Sequence, residues 1–289
     1  MRIGRFLVIA GLALIVLAVP APQMATPATA RGTIPVEVEV VGTVDVRLRT
    51  QYVQVLEQAI AYYQKEFGDS VAVTVVRGKI YQDADVFRQG LIQLGYSEAD
   101  AALLARTINS LTSRRGIVSG RVIHSNAQRL ARMSRLTFHL AHELMHVLQG
   151  GWIGKGPDGP LWFLEGMADH MAARFEDASG ISPYQRFRQQ RIDAVREKRQ
   201  VLLTIPLTLN LSLWAHLNES LGTHNGVPVI YAWADVLYER LETRTSRAAF
   251  VKFFGLPRTG PDLETAFEQA FQMRLTDFEA DIRAYIQNL

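Results

Sequence analysis

The segment from His142 to His146 reads His-Glu-Leu-Met-His and lies inside an apolar stretch with the composition of an α-helix. Side chains four residues apart lie on the same face of a helix, so the two imidazoles can bind one metal ion. Glu143 follows His142 and is rotated from it by about 100° around the helix axis. This rotation directs its carboxylate beside the metal, where it can accept a proton from a metal-bound water. The pattern therefore predicts a metal site with its own general base.

A third ligand is predicted at Glu165, which follows His146 after 18 intervening residues. The loop between them is rich in glycine and proline, so it can bring a second helix and this carboxylate to the open side of the metal. Zn²⁺ binds histidine nitrogen and carboxylate oxygen, and three protein ligands leave the fourth position to water. We therefore expect catalytic Zn²⁺ bound by His142, His146 and Glu165. The alternative is a surface helix that carries the motif by chance, and the third ligand argues against it.

The overall composition restricts the chemistry further. The 289 residues include no cysteine, which excludes a disulfide framework, a thiol nucleophile and any cysteine-ligated zinc or iron–sulfur site. The formal net charge is +3, and this balance gives no indication of nucleic-acid binding. Hydrophobic residues make up 48% of the chain, enough for the core of one large domain or two closely packed ones.

The motif, its spacing to Glu165 and the segment Trp162–Ala168 (Trp-Phe-Leu-Glu-Gly-Met-Ala) resemble the gluzincin metallopeptidases of the peptidase MA-like group, with the spacing of the aminopeptidase-N-like branch. The resemblance implies a zincin-like fold, with a small twisted sheet, an active-site helix and a mostly helical C-terminal half. It also implies hydrolysis of a peptide or protein substrate, with Glu143 as general base on zinc-bound water. Two alternatives stay open: a zinc hydrolase of a non-peptide substrate, and a non-catalytic protein of this fold that serves surface binding or assembly.

One feature of the aminopeptidase-N-like branch is missing. Those enzymes carry a glycine-rich motif that ends in a glutamate upstream of the zinc helix and binds the free amine of the substrate. Between residues 101 and 142 this sequence has no Asp or Glu. We therefore expect a peptidase that is not an aminopeptidase. The strand predicted at 116–125 can still pair with an extended peptide.

Two further site residues are suggested by the resemblance. Asp169 lies four residues after Glu165, the offset at which thermolysin-like enzymes have an acid that orients a zinc-binding histidine. The alternative for Asp169 is a solvated surface side chain. Gluzincins also use a Tyr or His downstream of the third ligand to stabilise the developing oxyanion. Tyr231, at the start of a predicted helix, is the first candidate, and His224 in the preceding loop is the second.

The elements that position these residues follow from hydrophobic periodicity. Strand patterns come early and helical patterns late, without regular βαβ alternation, so we expect an α+β fold. Gly68 and the pair Gly150-Gly151 are predicted to end helices, Ser97 to cap one, and Thr276 with Glu279 to form a capping box. Residues 201–228 are predicted to be irregular. An extended segment is predicted at 34–49, a buried strand at 71–76, an edge strand or hairpin at 116–125, and helices at 53–67, 84–94, 97–111, 132–149, 161–175, 182–200, 230–242, 262–272 and 276–286.

The first 30 residues have the pattern of an export signal. Arg2 and Arg5 precede an apolar run over residues 6–19, and Ala28-Thr29-Ala30 fits an A-x-A cleavage site. The run is short for a bilayer-spanning helix, and the alternative is an uncleaved N-terminal membrane anchor. We expect residues 31–289 to form the metallohydrolase domain and to act outside the cytoplasm, as a secreted, periplasmic or membrane-anchored protein. Removal of residues 1–30 would lower the formal net charge from +3 by two.

Overall fold

The computed structural model describes residues 33–113, 121–153, 160–209, 211–256 and 263–289. These ranges form a mixed α+β structure, as predicted, in which the strands of a small sheet lie in the first half of the chain. The predicted export signal at 1–30 and the first part of the predicted strand at 116–125 lie outside them. Within the described ranges, no helix combines the length and the apolar composition needed to cross a bilayer.

The sheet has four strands in the order β1-β2-β4-β3. The first three in this order run parallel, whereas β3 is antiparallel to β4 and forms one edge. Val76 and Ile80 of β2 are fully buried. Because side chains alternate along a strand, Lys79 points to the opposite face, where it pairs with Glu39 at 2.8 Å. The strands are β1 Val36–Val41, β2 Val76–Tyr81, β3 Ser110–Ser113 and β4 Val122–Asn126.

One strand prediction and one helix prediction near the sheet were wrong in position. The strand predicted at 71–76 ends where β2 begins, because β1 offers hydrogen-bonding partners only from Val36, opposite Val76. The helix predicted at 97–111 stops at Thr107, since Ile108 adopts an extended conformation and the residues after it pair with β4. Pairing, more than local propensity, determines where strands form. The edges of the sheet are therefore β1 and β3, and β4 is an inner strand.

Thirteen helices are present in the described residues. Their bounds are α1 Val46–Phe67, α2 Ala84–Gln93, α3 Glu98–Thr107, α4 Ala127–Leu130, α5 Leu136–Ile153, α6 Leu161–Ala178, α7 Tyr184–Glu197, α8 Arg199–Leu202, α9 Leu211–Leu221, α10 Val229–Glu242, α11 Arg247–Gly255, α12 Leu263–Phe271 and α13 Leu275–Gln287.

Several helix ends differ from the predictions for local reasons. Helix α1 begins inside the predicted extended segment because the Asp45 carboxylate accepts the first free backbone N–H groups of the helix. Gly68 ends α1 and Ser97 caps α3, both as predicted. Helix α5 continues through Gly150-Gly151. A Cβ at Gly150 would lie 2.4 Å from the Arg121 side chain, so this glycine permits close packing and does not end the helix.

The region from 201 to 228 is more regular than predicted. It contains α8, α9 and a short hairpin between β5 (Thr223–His224) and β6 (Val227–Pro228). Asn225 and Gly226 both have positive φ, as a type I′ turn requires, so the Asn-Gly pair was a hairpin signal. Helix α11 was not predicted. The capping box at Thr276 was wrong, because α13 begins directly after Arg274 without a side-chain cap.

Helix α6 packs against both α5 and α10 and so fixes the centre of the helical half. A Cβ at Gly166 would lie 2.2 Å from the carbonyl oxygen of Ala234 on α10, so the two backbones approach at a distance that only glycine allows. On the same helix, the Phe163 ring packs against Phe250 and Phe254 in an aromatic cluster. Glu165, next to Gly166, is therefore held on a rigid element.

Candidate metal centre

The three predicted zinc ligands lie together where α5 packs against α6. His142 and His146 are one turn apart on α5, and Glu165 lies on α6. Leu144 and Met145, between the two histidines, are fully buried and anchor this turn of α5 in the core. The side chains of His142, His146 and Glu165 are 12%, 13% and 17% exposed, so the site opens toward solvent.

The distances between the ligand atoms fit a tetrahedral metal. His142 Nε2 and His146 Nε2 are 3.1 Å apart. Glu165 Oε2 lies 3.4 Å from the first and 3.5 Å from the second. A tetrahedral zinc with ligands at about 2.0–2.1 Å separates its ligand atoms by about 3.3 Å. The side chains therefore already have the spacing that Zn²⁺ requires.

The hydrogen bonds on the outer side of each imidazole determine which ring nitrogen carries the proton. His142 Nδ1 lies 2.8 Å from Asp169 Oδ1, a carboxylate that can only accept. His146 Nδ1 lies 2.8 Å from Gln149 Oε1, and the amide nitrogen of Gln149 donates to the Leu164 carbonyl. Both Nδ1 atoms therefore carry a hydrogen, which leaves the two Nε2 atoms, together with Glu165, as the groups that can bind a metal ion. Two ring nitrogens and a carboxylate oxygen converge on one point, where a proton or a metal cation can bind.

The electrostatics of the centre favour positive charge at that point. Burial disfavours the charged ring of His142, but hydrogen bonds to Asp169 and Glu165 outweigh it and raise the pKa of His142 well above its usual value. Burial would also raise the pKa of Glu165, yet the neighbouring His146 and His142 hold it well below its usual range. Glu165 is therefore ionised at neutral pH, as a metal ligand must be.

Asp169 makes the contact predicted from the sequence and is 4% exposed, so the alternative of a solvated side chain is wrong. Its second oxygen accepts a hydrogen bond of 2.6 Å from Arg191, which is itself buried on α7. Burial would raise the pKa of Asp169, but the charge of Arg191 and the contact with His142 lower it. An ionised carboxylate thus supports His142 from behind.

Glu143 is adjacent to the ligand set but does not belong to it. Its side chain is buried, and its Oε2 accepts a hydrogen bond of 2.6 Å from the Thr112 hydroxyl. Thr112 lies on the edge strand β3, so the sheet fixes the orientation of the predicted base. Thr112 was not predicted as a site residue, because the predicted helix at 97–111 covered the first half of β3.

Tyr231, the predicted oxyanion donor, lies close to the metal centre. The charge of Glu165 is the largest of the influences that raise the pKa of Tyr231 well above its usual value, ahead of burial. The Trp214 ring packs edge-on against the Tyr231 ring, with centroids 5.4 Å apart. The second candidate, His224, instead bonds to the exposed carboxylate of Glu197. The geometry therefore favours Tyr231 over His224.

Comparisons with known proteins returned no match: no protein-family model fits the chain, and neither the curated proteins nor the solved structures gave a similar protein. The functional interpretation consequently depends on the geometry of the metal centre and on the sequence motif.

Proposed function

We propose that the protein is a zinc-dependent peptide hydrolase of zincin-like fold, with Zn²⁺ bound by His142, His146 and Glu165. The observation that carries the proposal is the convergence of two histidine Nε2 atoms and one carboxylate oxygen, 3.1–3.5 Å apart, next to Glu143 in the same turn of α5. Two histidines and one glutamate leave a coordination position for water, which is the ligand set of a catalytic site.

Glu143 is the general base in this proposal. A zinc ion bound at the three ligands would polarise the substrate carbonyl and acidify a water molecule. Thr112 holds one oxygen of Glu143 by its hydrogen bond, which leaves the second oxygen to accept the proton of the attacking water. The same carboxyl group can then pass that proton to the leaving amine.

Tyr231 provides the second donor for the oxyanion that develops on the scissile carbonyl. Its phenol is held next to Glu165 by the packing of Trp214 and by its place in the first turn of α10. The raised pKa keeps the hydroxyl protonated, so it can donate. A donor positioned in advance stabilises the developing charge without reorganisation.

The position of β3 supports a zincin-like arrangement and a peptide substrate. This strand is the antiparallel edge of the sheet, and Thr112 places it against the turn of α5 that carries Glu143. An extended peptide can add to such an edge by backbone hydrogen bonds. The sequence between 101 and 142 has no acid that could bind a free amine, so we propose that the enzyme is not an aminopeptidase.

We also propose that the protein acts outside the cytoplasm. The basic start, the apolar run at 6–19 and the Ala28-Thr29-Ala30 sequence support export. N-terminal sequencing of the exported protein should give Arg31 or a near neighbour as the first residue. An intact Met1 in the membrane fraction would instead support an anchor formed by residues 6–19.

The direct test combines metal analysis with a digest of casein or of a mixed peptide library. The purified protein should contain about one zinc per chain, cleave peptides, and lose activity with a chelator until zinc is restored. A parallel panel of esters and non-peptide amides separates a peptidase from a zinc hydrolase of another substrate. Zinc-loaded protein that cleaves nothing in either panel would contradict the proposal and favour a binding or assembly role.

A further inference from the structure

Gln149 is a fully buried polar side chain one turn after His146 on α5. Its Oε1 lies 2.8 Å from His146 Nδ1, and its Nε2 donates to the Leu164 carbonyl oxygen at 2.9 Å. Leu164 immediately precedes Glu165 on α6. One amide group therefore joins the ring of the second proposed ligand to the backbone beside the third.

The two imidazoles of the centre are supported in different ways. His142 is supported by a carboxylate, Asp169, which belongs to the other helix and is paired with the buried cation Arg191. His146 is supported by the neutral amide of Gln149 on its own helix. The nitrogen of that amide bonds to α6. Burying an amide is costly unless both its donor and its acceptor are paired. The amide oxygen and the amide nitrogen of Gln149 are both hydrogen-bonded. The oxygen accepts from the proposed ligand His146, and the nitrogen donates to Leu164, the neighbour of Glu165.

Resting on the proposed function, we propose that Gln149 is a positioning residue that fixes the Nδ1–H tautomer of His146 and ties His146 to Glu165 across the α5–α6 interface. The carbonyl of Leu164 can only accept, so it orients the amide nitrogen toward α6 and the amide oxygen toward His146. This oxygen requires a hydrogen on Nδ1, which leaves the Nε2 lone pair for the metal. The tie also limits the relative movement of the second and third ligands.

Few other side chains can perform both functions of Gln149. Methionine has a similar length but no amide, so it would leave the Nδ1–H of His146 without its partner and remove the hydrogen bond that α5 makes to the Leu164 carbonyl. An ionised glutamate would accept from His146 but could not donate to Leu164. The two substitutions therefore separate the control of the tautomer from the tie between the helices.

The experiment compares Gln149→Met and Gln149→Glu with the matched control Gln189→Met. Gln189 is an exposed glutamine on α7 that bonds only within its own helix, to Asp193. Zinc affinity is measured by competition with a chelator at a temperature where each variant is fully folded. The tautomer of His146 is measured by ¹⁵N NMR of the imidazole nitrogens in the metal-free and zinc-loaded proteins.

We expect Gln149→Met to weaken zinc binding by about 10–100-fold and to remove the protected Nδ1–H signal of His146. Gln149→Glu should keep that signal and lose less affinity, and Gln189→Met should match the wild type. Unchanged affinity in Gln149→Met, or an unchanged His146 signal, would overturn the inference. If the wild type binds no zinc, the proposed function fails, and the metal-free NMR comparison still decides the role of Gln149. If Gln149→Met does not fold, loss of the His146 signal in Gln149→Glu would overturn the inference.

Discussion

Asp169 and His170 are adjacent on α6, and their side chains enter two different buried clusters. Asp169 belongs to the metal centre, where it accepts from His142. His170 belongs to a second cluster, formed with Tyr184, Asp235, Glu239 and Glu242. Both clusters contain buried histidine and several carboxylates, so composition alone does not distinguish them.

The second cluster is built around one histidine, whose two ring nitrogens face different carboxylates. The Glu242 carboxylate lies 3.1 Å from His170 Nε2, and that of Asp235 lies 3.5 Å from Nδ1. Tyr184 donates to Glu239 at 2.9 Å, and Arg188 donates to the same carboxylate. In the candidate metal centre, by contrast, the Nε2 atoms of two histidines and one carboxylate oxygen converge on the same point.

This difference shows what marks a metal site among buried polar clusters. Within the described part of the chain, the group formed by His142, His146 and Glu165 has ligand atoms that all lie within 4.8 Å of one another. The distinguishing property is the convergence of two histidine nitrogens and a carboxylate oxygen from two helices on one point, and not the number of histidines and acids. Matched substitutions in the two clusters can therefore test the comparison.

The largest expected effect is on turnover, from Glu143→Gln at the metal centre. Loss of the general base should lower kcat by about 10²–10⁴-fold and leave zinc content unchanged, because Glu143 is not a ligand. The matched change Glu239→Gln in the second cluster should leave kcat near the wild-type value. Steady-state kinetics with metal analysis checks both variants. Undiminished turnover in Glu143→Gln would rule out this base.

The next effect separates two tyrosines, the half-buried Tyr231 and the buried Tyr184. Tyr231→Phe removes the proposed oxyanion donor and should lower kcat by about 10²-fold, with little change in KM or zinc content. Tyr184→Phe removes a hydroxyl from the second cluster and should change the melting temperature more than kcat. Equal kcat values for the two variants would remove Tyr231 from the mechanism.

A smaller effect is expected on metal affinity. Asp169→Asn keeps a hydrogen-bonding side chain behind His142 but removes its charge, which should weaken zinc binding by about 10–100-fold. Asp235→Asn makes the same change beside His170 and should leave zinc affinity unaltered. Chelator competition measures both constants. Similar losses in the two variants would show that general destabilisation, and not support of His142, is responsible.

The smallest effect on turnover is expected from substitution of His170 in the second cluster. Its main effect should be on the pH dependence of stability. Burial disfavours the charged ring of His170, but Asp235 and Glu242 outweigh it and raise the pKa of His170 to about 9. In the unfolded chain the pKa is about 6.5, so this stabilisation is complete below about pH 6.5 and is lost as the pH rises through about 9. Thermal melts of zinc-saturated His170→Gln should decline less across this range than those of the wild type. Parallel declines in both proteins would mean that His170 is not charged in the fold.

The ligand set could be predicted because the three residues lie close together in the sequence. The two histidines are one helical turn apart, and the loop before Glu165 is rich in glycine and proline, so spacing alone brings the three side chains together. Gly166, next to Glu165, then allows α6 to approach α10 closely, a consequence that sequence pattern does not reveal.

The residues that support the ligands could not be predicted in the same way. Thr112 reaches Glu143 only because β3 pairs with β4, and Arg191 reaches Asp169 from a separate helix. Such contacts depend on tertiary packing, which overrides local propensity. Gln149 is different: it lies three residues after His146, a spacing that places side chains on one helix face, so this contact was accessible from the sequence.

The most direct test of the central claim is the zinc stoichiometry of Glu165→Ala compared with Glu242→Ala. Both glutamates face a histidine, and both side chains are 17% exposed, so the two substitutions remove equally buried carboxylates. The convergence of the three ligand atoms predicts about one zinc per chain in the wild type and in Glu242→Ala, and a sharp loss in Glu165→Ala at the same free zinc concentration. Full zinc content in purified, folded Glu165→Ala would contradict the account.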